Sequence, residues 1–165
     1  MPQVPLESPA ALPAVVILAT GGTIAGLAAS PSASSSYTSG ALPVEWLLAA
    51  VPQLAELARV SAEQIVSIGS QDMNDTIWIA LARRIRALLA RPDVDGIVVT
   101  HGTDTLEETA YFLHLVLPAD KPVVLTCAIR PANALSADGP LNLFNAVAVA
   151  ASAAARGRGV LVVSN

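Results

Sequence analysis

The sequence predicts an α/β domain in which a mainly parallel, doubly wound sheet carries helices on both faces. Short apolar runs rich in β-branched residues alternate with longer segments whose apolar residues recur at helical spacing. The runs are continuously apolar, which is typical of parallel strands covered on both faces. The segments between them are long enough for helical crossovers. The predicted order is therefore β-α-β-α-β-α-β-α-β.

The composition favours a folded domain of modest charge. Of the 165 residues, 53% are hydrophobic and 13% are charged, which argues against disorder. The nine Lys and Arg are scattered and the net charge is −4, so no nucleic-acid partner is predicted. No apolar run reaches the roughly 18 residues of a membrane span. The high apolar fraction indicates an apolar surface that a partner or another part of the protein covers, and it predicts self-association or poor solubility.

The N-terminal end lacks the features of a targeting segment. Residues 1–13 hold four prolines and no periodicity, which predicts a loose arm before a domain at residues 14–165. The arm lacks a basic segment and a cleavage site, so no signal peptide is expected and a cytoplasmic location is predicted. Cys127 is the only cysteine, and an internal disulfide is therefore excluded.

The first strand is predicted at residues 14–19, before a glycine-containing turn. Gly21 and Gly22 allow a tight turn whose backbone amides point into the crevice beyond the strand. The spacing of these glycines differs from the dinucleotide-binding pattern, and the lysine of a phosphate-binding loop is missing. Residues 29–40 are rich in serine and predict a long flexible loop. Tyr37 is its one large side chain, either an anchor of the loop or a residue carried by a lid.

The positions of prolines and capping residues predict the next two helices, and a strand lies between them. Residues 43–50 begin with proline in the first turn and predict a short helix. A second strand is predicted at residues 64–68, before a polar turn. An amphipathic helix follows, capped by Asn74 or Asp75 and stopped by the proline at position 92.

The central prediction concerns the strand at residues 97–99 and the turn after it. A helix is predicted to start at Thr105, with Thr105 and Glu108 forming a capping box. In open parallel sheets, ligands bind beyond the carboxyl ends of the strands. Thr103 and Asp104 are therefore predicted to lie in the binding crevice. The remaining elements are a strand at 123–125, a helix at 141–155 and a strand at 160–163.

The strand ends together predict a site for acyl chemistry. The polar clusters there are residues 20–23, Ser70 and Gln71, Thr103 and Asp104, and residues 127–130. They offer hydroxyls for nucleophilic attack, a carboxylate and glycine amides for an oxyanion. No ligand set for a metal is present and no cofactor is expected, because His101 and His114 lie far apart in the pattern. His101 is interpreted as structural rather than as a base.

Two alternatives stay open from the residues alone. Hydroxyl and amide residues are favoured at caps and turns for local reasons, so each of them could be purely structural. The Gly-x-Ser-x-Gly elbow of serine hydrolases is also missing. The residues therefore predict an α/β hydrolase or a ligand-binding domain.

Several segments resemble the bacterial-type L-asparaginase family, especially its type II branch. The two main signatures are ATGGTIAG at residues 19–26 and GIVVTHGTDT at residues 96–105. GSQDMN at 69–74, RP at 130–131 and SADGP at 136–140 agree in order and spacing. The resemblance runs from about Leu12 to Asn165. It implies the Rossmann-like or flavodoxin-like N-terminal domain of these enzymes, without the C-terminal domain.

The resemblance implies roles for individual residues in the hydrolysis of L-asparagine to L-aspartate and ammonia. Thr23 is the implied nucleophile, and Tyr37 on the lid helps to take its proton. Thr103 is the implied second catalytic threonine, paired with Asp104. The implied substrate-binding residues are Ser70, Gln71, Thr103, Asp104 and Ala128. Neither a cofactor nor a metal is implied.

The family pattern also includes parts that this sequence does not contain. It has a lysine beyond the fifth strand, whereas the only lysine here is Lys121. It has a second domain that supplies an acidic residue to a neighbouring subunit of a homodimer or homotetramer. We therefore expect impaired activity from this chain alone. The alternatives are a glutaminase-asparaginase that also takes L-glutamine, an amidotransferase subunit, and a non-catalytic amino-acid-binding fragment. Some relatives are periplasmic.

Overall fold

A computed structural model describes residues 11–32, 36–118 and 120–165, and a parallel five-stranded sheet lies at its centre. The strands are β1 (Ala14–Gly21), β2 (Leu27–Ala28), β3 (Tyr37–Thr38), β4 (Arg59–Ile68), β5 (Gly96–Thr100), β6 (Val123–Thr126) and β7 (Val160–Val162). The helices are α1 (Val44–Ala49), α2 (Leu54–Leu57), α3 (Asp75–Leu89), α4 (Leu106–Val116) and α5 (Gly139–Ala150).

The order of the strands places a crevice beside β1. The sheet runs β4-β1-β5-β6-β7 with every pair parallel. Counting only these five strands along the chain gives the order 2-1-3-4-5, which is the flavodoxin-like order. The order reverses between β1 and β5, and ligands bind at such a switch point. The predicted doubly wound α/β fold is confirmed.

Both faces of the sheet are buried along its central strands β1, β5 and β6, as the continuous apolar runs predicted. Alternate residues of β1 face opposite sides, so Val15 and Ile17 join one core while Val16 and Leu18 join the other. The first core packs against α1, α2 and α5. The second core packs against α3 and α4. No helix in the described ranges is long and apolar enough to cross a membrane.

Three predicted boundaries are wrong. The second strand of the sheet begins at Arg59 instead of residue 64, and its first half pairs with β1. This strand lies at an edge of the sheet, where exposed and half-buried residues interrupt the apolar run that the prediction required. The last helix begins at Gly139, with proline in its first turn, and ends at Ala150. A separate turn at residues 153–155 follows it, and the short helix α2 was not predicted.

The predicted capping box is also wrong. In the described part of the chain, the Thr105 side chain makes no hydrogen bond to the first turn of α4. Its hydroxyl donates instead to the carbonyl of Ser70 at 2.9 Å. A tertiary contact thus replaces the local cap and ties the start of α4 to the turn after β4.

The predicted arm and the predicted loop are only partly described by the structure. Residues 1–10 of the arm and residues 33–35 of the loop lie outside the described residues. The described part of the loop contains β3, which pairs in antiparallel fashion with β2. We call this pair of two-residue strands the ribbon. It carries Tyr37 at the pairing position opposite Ala28.

Candidate active site

The turns after β1, β4 and β5 are in backbone contact at the switch point. The Gly22 amide donates to the Ile68 carbonyl at 2.8 Å. A Cβ atom on Gly22 would lie 2.4 Å from the Gly102 nitrogen, and one on Gly102 would lie 2.5 Å from the Ser70 hydroxyl. No side chain fits between these turns. The close approach brings the residues next to the glycines, Thr23 and Thr103, to one edge of the sheet.

Thr23 is directed at Tyr37. Gly22 has φ 75° and ψ −176°, a backbone conformation that is essentially restricted to glycine. The chain then makes one short helical turn at residues 23–25. Thr23 is 6% exposed, and its hydroxyl oxygen lies 2.8 Å from the Tyr37 hydroxyl. A buried hydroxyl that is hydrogen-bonded to a group able to exchange its proton is an arrangement suited to a nucleophile.

Ser70 and Asp104 form a second pair. The Ser70 hydroxyl donates to an Asp104 carboxylate oxygen at 3.2 Å and accepts from the Asp104 backbone amide at 3.0 Å. Ser70 is buried, whereas Asp104 is exposed. No cationic side chain within the described ranges lies at salt-bridge distance from Asp104. This carboxylate is held in place and its charge is not neutralised, so it can attract an ammonium group.

The other predicted site residues are less firmly connected. Gln71 is exposed and its amide donates to Asp72 at 3.2 Å rather than to another site residue. Thr103 is half-buried, and in the described part of the chain no hydrogen bond joins its hydroxyl to another side chain. Ala128 is buried just beyond β6. The structure thus joins Thr23 to Tyr37 and Ser70 to Asp104, and it places the remaining residues around these pairs.

His101 belongs to a buried hydrogen-bonded chain. Its Nδ1 lies 2.7 Å from the Gly102 carbonyl, and its Nε2 lies 3.0 Å from the Thr109 hydroxyl. The Trp78 indole donates to the same hydroxyl at 2.8 Å. Because a carbonyl only accepts, Nδ1 carries the proton, and Thr109 donates to Nε2. Burial lowers the pKa of His101, so the ring is neutral in this network and its role is structural.

We predict that this histidine makes stability depend on pH. Its pKa is lowered in the folded chain, so the unfolded chain binds more protons between the two pKa values. The free energy of unfolding should fall as the pH is lowered from about 7.5 to about 5.5. Urea unfolding of His101→Gln should show a smaller fall over this range. A fall in His101→Gln as large as that of the wild type would contradict this prediction.

Two residues that support the site were not predicted from the sequence. The Asp138 carboxylate accepts from the backbone amides of Ile129 at 2.8 Å and Arg130 at 2.9 Å. The Asn142 amide donates to the Cys127 carbonyl at 3.0 Å. Together they fix the backbone on both sides of Ala128. The only signal in the sequence was the SADGP segment, which contains Asp138, because backbone partners leave no mark of their own.

Comparison with known proteins points to one family. Residues 14–165 match the family described as "Asparaginase, N-terminal". The chain is 56% identical to L-asparaginase 2 of Bacillus subtilis (strain 168), over 93% of this chain and 41% of that protein. It is 53% identical to a glutaminase-asparaginase of Pseudomonas fluorescens biotype A, over 97% of this chain and 44% of that protein.

A solved structure shows the same similarity. The crystal structure of a probable cytoplasmic L-asparaginase from Campylobacter jejuni matches with a TM-score of 0.89 and 52% identity. The match covers 92% of this chain and 46% of that one. The chain therefore spans less than half the length of the curated relatives described above.

Proposed function

Because the chain belongs to the asparaginase family, matching its N-terminal domain and its type II-like branch, we propose that it hydrolyses L-asparagine to L-aspartate and ammonia. The hydrogen bond of 2.8 Å between the hydroxyls of Thr23 and Tyr37 carries this proposal. In this contact the Tyr37 hydroxyl lies against the buried Thr23 hydroxyl, which supports a proton relay between the two. The names of the relatives supply the substrate class.

The first half of the reaction forms an ester on Thr23. The Thr23 oxygen attacks the carbon of the side-chain amide, and its proton passes to the Tyr37 oxygen. Tyr37 gives its own proton to the amide nitrogen, the carbon–nitrogen bond breaks, and ammonia leaves. The Ala128 carbonyl accepts a hydrogen bond from the substrate amide and orients it.

The second half regenerates the hydroxyl. Water attacks the ester, the Thr23 oxygen leaves and takes back a proton, and L-aspartate is released. Thr103, paired with Asp104, is the second catalytic threonine of this proposal. Its half-buried position beside Gly102 supports that placement.

The zwitterionic end of the substrate is bound at the turns after β4 and β5. The Asp104 carboxylate meets the α-ammonium group, while Ser70 and Gln71 donate to the α-carboxylate. Charge-assisted hydrogen bonds of this kind are stronger than neutral ones. In the present structure the Ser70 hydroxyl donates to Asp104 and the Gln71 amide to Asp72. Both donors are therefore redirected towards the substrate when it binds.

The test is the release of ammonia from L-asparagine by the purified chain, with the heat-denatured chain as the blank. We expect a slow release that is proportional to protein concentration, because the chain spans less than half the length of the curated relatives. The absence of release above the blank at high protein concentration would contradict the proposal for this chain.

L-Glutamine is a second candidate substrate. The 53% identity to a glutaminase-asparaginase favours it. Glutamine is longer by one methylene, and a difference of one methylene changes the relative rate by about 10- to 200-fold. We therefore expect L-glutamine to compete with L-asparagine weakly, as measured by ammonia release from isotope-labelled mixtures. Equal rates for the two amides would indicate a glutaminase-asparaginase that hydrolyses both L-asparagine and L-glutamine.

We predict that Asp104→Asn weakens binding of the product L-aspartate by about 10- to 150-fold, which corresponds to losing one charged hydrogen bond of about 1.5–3 kcal/mol. The asparagine oxygen still accepts from Ser70, so the turn after β5 keeps its shape. Calorimetric titration measures this effect without turnover. Glu107→Gln, an exposed acid on α4, is the matched control and should bind like wild type. Unchanged affinity in Asp104→Asn would remove Asp104 from the proposed site.

Assembly and location complete the proposal. We propose a homodimer or homotetramer for the full-length form, with an apolar surface that this chain leaves exposed. Leu135 and Ile129, both in the segment after β6, are 85% and 65% exposed, which supports such a surface. A clean monomer by light scattering at high concentration would count against it. The cytoplasmic location is supported by the name of the Campylobacter jejuni protein, and cell fractionation tests it.

A further inference from the structure

The ribbon that carries Tyr37 is too small to hold its own position. Each of its strands has two residues, and Leu27 pairs with Thr38 while Ala28 pairs with Tyr37. An isolated two-stranded hairpin of this size is at best marginally stable in water. Tyr37 is itself 37% exposed. The distance of 2.8 Å between Tyr37 and Thr23 therefore depends on contacts from another part of the chain.

On the β3 side, the Gly40 and Leu42 amides donate to the carbonyls of Gly22 and Ala25. On the β2 side the contacts come from residues 130–138, which we call the clamp loop. The Asn133 side chain makes both hydrogen bonds with the backbone of Ala28, accepting from its amide at 2.9 Å and donating to its carbonyl at 2.9 Å. The Ala132 amide donates to the Gly26 carbonyl at 2.9 Å. The Asn133 amide group thus pairs with β2 as a neighbouring strand would, although 105 residues separate the two along the chain.

The clamp loop is itself firmly attached to the sheet. Both oxygens of the Asp138 carboxylate accept backbone amides from residues 129 and 130, directly after β6. The Arg130 guanidinium donates to the Ser136 carbonyl at 3.1 Å, which closes the loop on itself. Pro131 is buried. The clamp loop therefore fixes the position of the ribbon relative to β6.

A second observation ties Tyr37 to the same contact. A Cβ atom on Gly26 would lie 2.9 Å from Cδ2 of the Tyr37 ring, so the ring lies directly against this glycine. The carbonyl of Gly26 is the one that Ala132 binds. The tyrosine ring and the clamp loop thus hold the same short piece of backbone.

We propose that Asn133 is a positioning residue that holds the ribbon so that the Tyr37 hydroxyl stays against Thr23. The proposal rests on the proposed role of Tyr37 as proton relay. A side-chain amide offers one acceptor and two donors, and it therefore satisfies both backbone groups of Ala28. Aspartate keeps the acceptor but loses the donor, and it places a carboxylate oxygen against the Ala28 carbonyl. Asn133→Asp is therefore the informative substitution, because it is nearly isosteric.

The test uses the two tyrosines of the chain, Tyr37 and Tyr111. Nitration by tetranitromethane, followed by peptide mass analysis, gives a separate rate for each ring. Tyr111 is 67% exposed on α4 and serves as the internal standard. In Asn133→Asp we expect the Tyr37 rate to rise about tenfold relative to Tyr111, the size of effect that losing one or two hydrogen bonds produces. Hydrogen exchange at the Ala28 amide should accelerate by a similar factor.

Two controls separate local release from unfolding. Asn145→Asp makes the same chemical change on α5, where the side chain makes no hydrogen bond within the described residues, and it should leave both rates unchanged. Asn133→Ser, a milder change, is measured if Asn133→Asp does not fold. An unaltered Tyr37 rate with an unaltered Ala28 exchange rate, in a folded Asn133 variant, would overturn the proposal.

Ammonia release gives a readout that distinguishes this proposal from the proposed function. A positioning role predicts that Asn133→Asp lowers kcat while KM for L-asparagine stays nearly constant, because Tyr37 acts on the proton and not on substrate binding. Faster nitration with unchanged kcat, in an enzyme that requires Thr23, would contradict the positioning role and leave the proposed function standing. Faster nitration of Tyr37 in Asn133→Asp, when the wild type releases no ammonia, would support the role of Asn133 in holding the ribbon and would contradict the proposed function.

Discussion

Thr23→Ala is expected to lower ammonia release from L-asparagine on the order of 10³-fold or more, because the variant has no hydroxyl to form the ester. The fold should survive. The Thr23 hydroxyl bonds only to Tyr37 among the described side chains, and the substitution removes few buried atoms. We expect a loss of about 1 kcal/mol or less in the free energy of unfolding.

Two further variants serve as controls for the ammonia release of Thr23→Ala. Thr23→Ser keeps a hydroxyl and should retain measurable release. Thr76→Ala makes the same substitution at an exposed position of α3 and should match the wild-type rate. Turnover that is unchanged in Thr23→Ala would remove Thr23 from its assigned role, whatever the other variants do.

Gly22→Ala is expected to disrupt the site and to destabilise the fold. The Gly22 backbone conformation alone would disfavour alanine by about 1–3 kcal/mol. The new Cβ would also lie 2.4 Å from the Gly102 nitrogen and 2.7 Å from the His101 carbonyl carbon. Those atoms belong to the backbone, so relief requires the turns after β1 and β5 to separate. Both the unfolding midpoint and ammonia release should fall sharply.

Gly157→Ala is the matched control for this substitution. Gly157 has φ 74°, almost the same as Gly22, but a Cβ there would meet nothing within 4 Å. Gly157→Ala should therefore lose about 1–2 kcal/mol in the free energy of unfolding, because a positive φ disfavours alanine there without any clash. A loss of stability in Gly22→Ala no larger than that in Gly157→Ala would contradict the claim that the turns are packed too closely for a side chain.

The sequence predicted the centre of the sheet well and its β4 edge poorly. β5 and β6 are covered on both faces, so their apolar runs are continuous and nearly match the predicted strands. β4 has one unpaired edge, and its first half alternates between exposed and half-buried residues, so a rule based on apolar runs overlooks it. The failed capping box has a similar cause, because Thr105 serves a contact with Ser70 that local spacing cannot reveal.

The same distinction holds for the candidate site. Thr23, Ser70 and Asp104 follow strands directly, so parallel topology alone brings them to one edge. Tyr37 could be placed only through the resemblance to a family, because its position depends on the ribbon. Asn133 was not found, since its partners are the backbone groups of Ala28, which any residue carries. Long-range contacts between a side chain and backbone leave no periodic or motif-like signal.

The most direct test of the proposed mechanism is to trap the ester on Thr23. The chain is mixed with L-asparagine, quenched with acid during turnover and digested, and the peptides are weighed by mass spectrometry. If Thr23 is the nucleophile, the peptide that contains it gains the mass of one aspartyl group, and fragmentation places that group on Thr23. Ammonia release without this adduct, or with an aspartyl group on another residue, would contradict the assignment of Thr23.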